Sequence, residues 1–248
     1  MLAEERFREI LKIVNDKKTV TVQELTALLQ TSESTIRRDL TTLHQRGALI
    51  KVHGGATTAE SETMTRDADL SLRSTLNKEA KAVIGKYAAS LIREDDFVYL
   101  DAGTTTGLML EYLAGVRAAF VTNAVSHAQT LAKMGIRVYL IGGELKSSTE
   151  AVVGSQAMQM IQMYHFTKGF FGTNGVSKRH GFTTPDPNEA LVKQEAMRQT
   201  ERCYVLADSQ KFGMVSSVTF GVFEEATILT ETEPPEGFSG SKNIRVAK

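Results

Sequence analysis

From Phe97 onward the chain repeats one pattern: a short apolar run, a small polar turn, then residues with helical spacing. Phe97-Val98-Tyr99-Leu100 leads into Asp101-Ala102-Gly103-Thr104-Thr105-Thr106. Ala119-Phe120-Val121 leads into Thr122-Asn123, and Val138-Tyr139-Leu140-Ile141 into Gly142-Gly143. Lys168-Gly169-Phe170-Phe171, Cys203-Tyr204-Val205-Leu206 and Ala226-Thr227-Ile228-Leu229 continue the series. Strands alternating with helices predict a parallel sheet covered by helices on both faces, an α/β domain over residues 77–248. In such sheets ligands sit outside the carboxyl ends of the strands.

The first 58 residues follow a different rule. Phe7, Ile10, Leu11 and Val14 fall on one helix face. Thr21-Val22-Gln23-Glu24 reads as a capping box opening a short second helix. Ser32 is a candidate N-cap for a third, with Gly47 as its stop. Leu49-Ile50-Lys51-Val52, His53-Gly54-Gly55 and Ala56-Thr57 then predict a β-hairpin.

On the third helix Ile36, Leu40 and Leu43 cluster on one side. Ser34, Arg38, Thr41 and Gln45 lie nearly opposite, with Thr35, Arg37 and Thr42 on the flanks. A solvated face has the same appearance. On the third helix of a helix–turn–helix–hairpin unit, however, forked donors and short hydroxyls suit the DNA major groove. Ser34, Thr35, Arg37, Arg38, Thr41, Gln45, Lys51 and His53 are therefore the candidate DNA-contacting residues. The whole chain has 29 basic and 29 acidic residues, which excludes a histone-like polycation. Recognition must then rest on local placement of charge.

Residues 59–76, rich in Thr, Ser, Glu, Asp and Arg, read as a linker. No apolar run reaches the ~18 residues of a membrane helix, so no membrane partner is expected. The N-terminus lacks a signal core, and the lone Cys203 offers neither a disulfide nor a metal cage. The expectation is a cytoplasmic protein with no cofactor and no metal. The five histidines show no ligand spacing. Asp95-Asp96 reads as a turn, Met158, Met160 and Met163 as helix packing or a subunit contact, and Lys193 as the partner of Glu189 one turn before it.

Ser34-Thr35-Ile36-Arg37-Arg38-Asp39-Leu40, with Leu43, Gly47 and Val52-His53-Gly54-Gly55-Ala56, resembles the signature of DeoR-type bacterial transcriptional regulators. The resemblance implies a winged helix-turn-helix domain followed by a sensor domain similar to sugar-phosphate isomerases. Gly103-Thr104-Thr105-Thr106 looks like the isomerase phosphate loop, and Leu206-Ala207-Asp208-Ser209-Gln210-Lys211 like its lysine-bearing strand end. Lys81 matches a lysine that recurs in the family. Glu189, eight residues after Gly181, matches the catalytic glutamate, but Gly172-Thr173-Asn174-Gly175 lacks the isomerase's aspartate pair. That departure implies binding without turnover.

Gly103, Thr104, Thr105, Thr106 and Lys211 are expected at a phosphate end of the pocket, with Asn123, Asn174 and Glu189 at a sugar end. Within the family the chain looks most like fructose-operon repressors, which implies fructose 1-phosphate as effector. The expected partners are double-stranded operator DNA, a sugar phosphate, and further copies in a dimer or tetramer. The alternative is an isomerase-like enzyme that carries a DNA-binding domain.

Overall fold

The computed structural model describes residues 3–17, 19–45, 48–52, 54–58, 63–65 and 76–247. It divides into two units, Met1–Glu62 and Thr63–Lys248.

In the first unit α1 (Ala3–Lys17) buries Phe7, Ile10 and Val14. Strand β1 (Thr19–Thr21) follows, and its last residue caps α2 (Val22–Leu29) through the expected Thr21–Glu24 capping box. Helix α3 (Glu33–Gln45) starts at Ser32, whose hydroxyl accepts from the Thr35 amide at 3.3 Å. Ile36, Leu40 and Leu43 are buried with Ile10, Val14, Leu25 and Leu49 in one core. Each such side chain contributes roughly 1.5–3 kcal/mol. Strands β2 (Leu49–Val52) and β3 (Gly55–Thr58) form the hairpin, and β1 adds a third strand in the order β1-β3-β2. The sequence reading missed β1, since three residues are too few to show a period. Asp39, on the same helix as the polar stripe, is buried against Arg6 of α1 at 2.5 and 3.2 Å. This bond fixes the rotation of α3 about its axis.

The second unit opens with β4 (Thr63–Thr65), inside the stretch read as linker, which pairs with β14 (Met214–Ser216). Helix α4 (Lys78–Ser90) leads to β5 (Phe97–Leu100), then α5 (Thr104–Met109), β6 (Ala119–Thr122), α6 (Val125–Lys133) and β7 (Val138–Leu140). A hairpin, β8 (Glu144–Lys146) with β9 (Ala151–Val153), precedes α7 (Ser155–Gln162). Next come β10 (Phe166–Gly172), β11 (Gly175–Ser177), β12 (Gly181–Thr184) and α8 (Pro187–Arg198). Strands β13 (Thr200–Leu206), β15 (Val218–Gly221), β16 (Thr227–Thr230) and β17 (Ile244–Val246) complete the unit. Strand β17 and the small strands β8, β9, β11, β12, β14 and β15 carried no clear signal in the sequence.

Seven strands form one fully parallel sheet in the order β17-β16-β13-β10-β5-β6-β7. Side chains alternate between two apolar layers. Val98, Leu100, Phe120 and Phe170 face Ile84 of α4, Met109 of α5 and Leu131 of α6. Tyr99, Val121, Phe171 and Val205 face Ile161 of α7 and Val192 of α8. Double-sided burial is why these strands read as unbroken apolar runs. From the centre, β5 leads to β6 and β7 in one direction, while β10 leads to β13, β16 and β17 in the other. The loops leaving β5 and β10 therefore part, and a crevice opens between them. Beside it β11, β12 and β15 form a small antiparallel sheet. Its turn depends on Gly181 at φ +68°, where an added Cβ would lie 2.1 Å from the Gly221 carbonyl oxygen.

Candidate functional site

The crevice at the strand ends opens to solvent and is lined largely by polar residues. Each wall comes from a different segment. The end of β5 and the start of α5 supply Gly103, Thr104 and Thr105, and α4 supplies Asn77 and Lys81. The end of β10 gives Gly172, Thr173 and Asn174, α8 gives Glu189 and Lys193, and the segment after β13 gives Asp208, Gln210 and Lys211.

The floor is a buried ion pair. Lys193 Nζ donates to Asp101 Oδ2 and, at 3.2 Å, to the Gly172 carbonyl. The Gly172 amide donates to the same Asp101 oxygen at 2.9 Å. The two central strands are thus stapled together below the cleft. Burial raises the Asp101 pKa, with Lys193 pulling it down and Glu189 adding to the rise. The expectation that Lys193 pairs with Glu189 is corrected: the Asp101 carboxylate takes its ammonium. The stretch 172–175 carries no acid of its own, yet the neighbouring strand brings one to its amide.

Glu189 is held from elsewhere. Its Oε1 accepts from Lys146 Nζ at 3.1 Å and from the Thr149 hydroxyl at 2.6 Å, both on the β8–β9 hairpin. Lys146 also reaches Asp186 Oδ2 at 3.1 Å, while Asp186 caps α8 by accepting from the Glu189 amide at 2.9 Å. On the opposite wall Lys81, almost fully buried, donates to the Thr104 hydroxyl at 3.1 Å. Asp208 Oδ1 accepts from Asn77 Nδ2 and from the Gln210 amide, whereas its buried Oδ2 has no hydrogen-bond partner. The cleft thus gathers Lys81, Lys211 and the Thr104 and Thr105 hydroxyls near Asp208, and Asn174 and Glu189 from the end of β10 and from α8.

Of the residues expected in a pocket, Gly103, Thr104, Thr105, Asn174, Glu189 and Lys211 line the cleft. Thr106 and Asn123 do not. The Thr106 hydroxyl donates to the carbonyls of Asp101 and Gly103, at 2.7 and 2.9 Å. Asn123 accepts from the Ala102 amide at 2.9 Å and donates to the Val152 carbonyl at 3.3 Å. Both shape the loop from behind. Asp101, Asn77, Asp208, Thr149 and Lys146 were missed as site residues. Asp101 and Asp208 carried the same signal as Thr104, a polar residue directly after an apolar run.

Behind the same loop His127 is buried with its Nδ1 unpartnered. Burial lowers its pKa from 6.5 to about 4, against a smaller opposing pull from the Gly103 backbone. The unfolded chain therefore takes up this proton first. The stability the neutral ring provides is complete above about pH 6.5 and is lost as the pH falls toward 4. Between pH 7 and 5 the loss amounts to about 2 kcal/mol. Urea melts should show it in the second unit of the full-length parent and not in His127→Gln. Equal slopes with pH in the two proteins would refute this assignment. Cys203 is half-buried, and desolvation pushes its thiol up to about 12, so it is no thiolate nucleophile at neutral pH.

In the first unit Ser34, Arg37 and Arg38 are exposed on α3. Arg37 pairs with Glu33 at 3.1 Å. The Thr41 hydroxyl donates to the Arg37 carbonyl at 2.7 Å and accepts from Lys51 Nζ at 2.8 Å, so Thr41 holds the hairpin lysine beside the helix. Thr35 is half-buried, its hydroxyl 2.8 Å from that of Ser32. His53 and the Gln45 side chain lie outside the described residues.

A helix–turn–helix with a β-hairpin, joined to a parallel-sheet unit with a polar cleft at its topological switch point, defines a class: regulators pairing a DNA-binding unit with a sensor. The chain belongs to the DeoR family. Residues 6–62 match the DeoR-like helix-turn-helix domain and residues 76–232 the DeoR C terminal sensor domain. It is 44% identical to the uncharacterized HTH-type transcriptional regulator FruR of Bacillus subtilis (strain 168), over 100% of this chain and 98% of that one. It is 32% identical to the HTH-type transcriptional repressor GlcR of the same organism, covering 96% and 92%. It is 35% identical to the lactose phosphotransferase system repressor of Staphylococcus aureus (strain NCTC 8325 / PS 47), covering 90% and 89%. Among solved structures, ribose 5 phosphate isomerase A from Neisseria gonorrhoeae overlaps 58% of this chain and 56% of its own, at 16% identity and TM-score 0.43. The full-length relatives are regulators and repressors, and this chain stands with them, not with enzymes. Among the described residues no helix is long and apolar enough to cross a membrane.

Proposed function

We propose that this protein is a repressor of a sugar-utilisation operon, released from its operator by a phosphorylated sugar held in the cleft, with fructose 1-phosphate as the first candidate. The cleft lining supports this reading most strongly. Lys81, Lys211, Thr104 and Thr105 gather cations and hydroxyl donors for a dianionic phosphate. Asn174 and Glu189 offer the donor and acceptors that neutral sugar hydroxyls need. The choice of fructose 1-phosphate is supported by the full-length similarity to a regulator named FruR. A tagatose phosphate is the nearest rival.

Thermal-shift measurements across sugar phosphates test the reading, since a ligand at 100 times its Kd adds about 2.7 kcal/mol. Fructose 1-phosphate should raise the melting temperature and release operator DNA, while inorganic phosphate acts only weakly. If no sugar phosphate does either, the proposal fails.

On the DNA side, α3 enters the major groove and Lys51 lies at the flanking backbone. Arg38 is exposed opposite the buried Ile36, Leu40 and Leu43. Arg38→Ala should cost roughly 1–3 kcal/mol of specific binding with the fold intact. Arg37→Ala should instead lower the salt dependence of binding, as loss of a phosphate contact does. Operator affinity unchanged by Arg38→Ala at matched salt would remove Arg38 from base recognition.

A further inference from the structure

Glu189 reaches the cleft with one of its two carboxylate oxygens engaged. Oε1 accepts from the Thr149 hydroxyl at 2.6 Å and from Lys146 Nζ at 3.1 Å. Among the described residues Oε2 accepts no hydrogen bond, and Glu189 lines the cleft. The holder is itself well fixed. Lys146 bridges Asp186 and Glu189, and Thr149 is buried in the turn between β8 and β9. The next residue, Glu150, sits at φ +53°, a left-handed conformation that few residues with a side chain adopt. Its amide donates to the Lys146 carbonyl at 2.8 Å, which closes the turn. The hairpin is tied in turn to the loop at the head of α5. Asn123 Nδ2 donates to the Val152 carbonyl on β9 at 3.3 Å, and the Val152 amide donates to the Asn123 carbonyl at 2.7 Å. Asn123 Oδ1 accepts from the amide of Ala102, the residue before Gly103, at 2.9 Å. A connected series of hydrogen bonds and short peptide segments thus runs behind the cleft, from the threonine loop to Glu189.

We propose that Thr149 is a positioning residue that sets which phosphorylated ligands the cleft accepts. Its hydroxyl holds one oxygen of Glu189 and leaves the other to accept from a ligand hydroxyl, at a fixed span from the phosphate. The inference rests on the reading of the cleft as a sugar-phosphate site and adds the source of its selectivity. A carboxylate oxygen held in one place rewards a ligand that brings a hydroxyl to that place. It penalises a ligand that lacks the hydroxyl, because the acceptor is then desolvated and unpaired. It also penalises a ligand that brings a second carboxylate there, by like-charge repulsion. Epimers are the sharpest case. They share every functional group and differ only in where one hydroxyl points, so total charge and size cannot tell them apart. A span fixed at both ends can.

Calorimetric titration of the full chain with fructose 1-phosphate, its C4 epimer tagatose 1-phosphate and inorganic phosphate tests the assignment. The parent should prefer one epimer. Thr149→Val, which nearly keeps the side-chain shape and removes the hydroxyl, should weaken the preferred epimer roughly tenfold or more. It should bring the two epimers together in affinity and leave inorganic phosphate unchanged. Thr149→Ser should restore the preference, which a role in packing alone would not. Should Thr149→Val misfold, Lys146→Met removes the other donor to Oε1 and should flatten the preference in the same way. Equal weakening of all three ligands, a preference that survives the loss of the donor, or failure of serine to restore it overturns the role of Thr149. A parent that binds both epimers alike overturns it too, with the cleft reading intact. A parent that binds neither epimer overturns the cleft reading itself, and this inference with it.

Discussion

A Lys211→Ala repressor should remain on its operator at effector concentrations that release the parent. Lys211 lines the cleft with Lys81 and the threonines at the head of α5. A hydrogen bond to a charged group is worth roughly 1.5–3 kcal/mol, so its loss should raise the effector concentration for release about 10- to 150-fold. DNA affinity without effector should not change. The measurement is a fluorescence titration of labelled operator, with each protein titrated by fructose 1-phosphate and by inorganic phosphate. Release of the Lys211→Ala protein at the parental concentration would show that the phosphate is held elsewhere.

Asp101→Ala should produce the largest loss of stability of any single change in the cleft. It strands the Lys193 ammonium, which is almost fully buried, and leaves the Gly172 amide without its acceptor. Breaking a buried pair from one side costs about 3–5 kcal/mol. Removing both charges, as in Asp101→Leu with Lys193→Met, should cost less than Asp101→Ala alone, since no uncompensated charge remains. Urea unfolding of the three proteins decides it. A cost below about 1 kcal/mol for Asp101→Ala would mean that water reaches the ammonium and that the floor is wet.

The parallel sheet was legible because its central strands are apolar on both faces and are punctuated by Gly, Thr and Asn. The capping box and the Ile36/Leu40/Leu43 face were legible because each is local, fixed within a few residues. What the sequence hid was long-range. Asp101 and Lys193 are 92 positions apart, Lys146 and Glu189 43, and Arg6 and Asp39 33. No pattern along the chain records such pairings. The hairpins beside the cleft were invisible because three-residue strands show no period. Thr106 and Asn123 were misplaced for a subtler reason. A small polar residue at a strand end satisfies the ligand or the loop equally well, and only the backbone direction decides which. Here both turn inward.

The β8–β9 hairpin has one more consequence. Leu145 and Lys146 are neighbours on a strand of three residues, and successive side chains on a strand point opposite ways. One of them faces solvent, and the other holds Glu189 in the cleft. A ligand hydroxyl that drew Glu189 away from Lys146 would loosen this short strand. The outer face of the hairpin would then report on what the cleft holds, and a spectroscopic label at Leu145 would sense occupancy without touching the ligand.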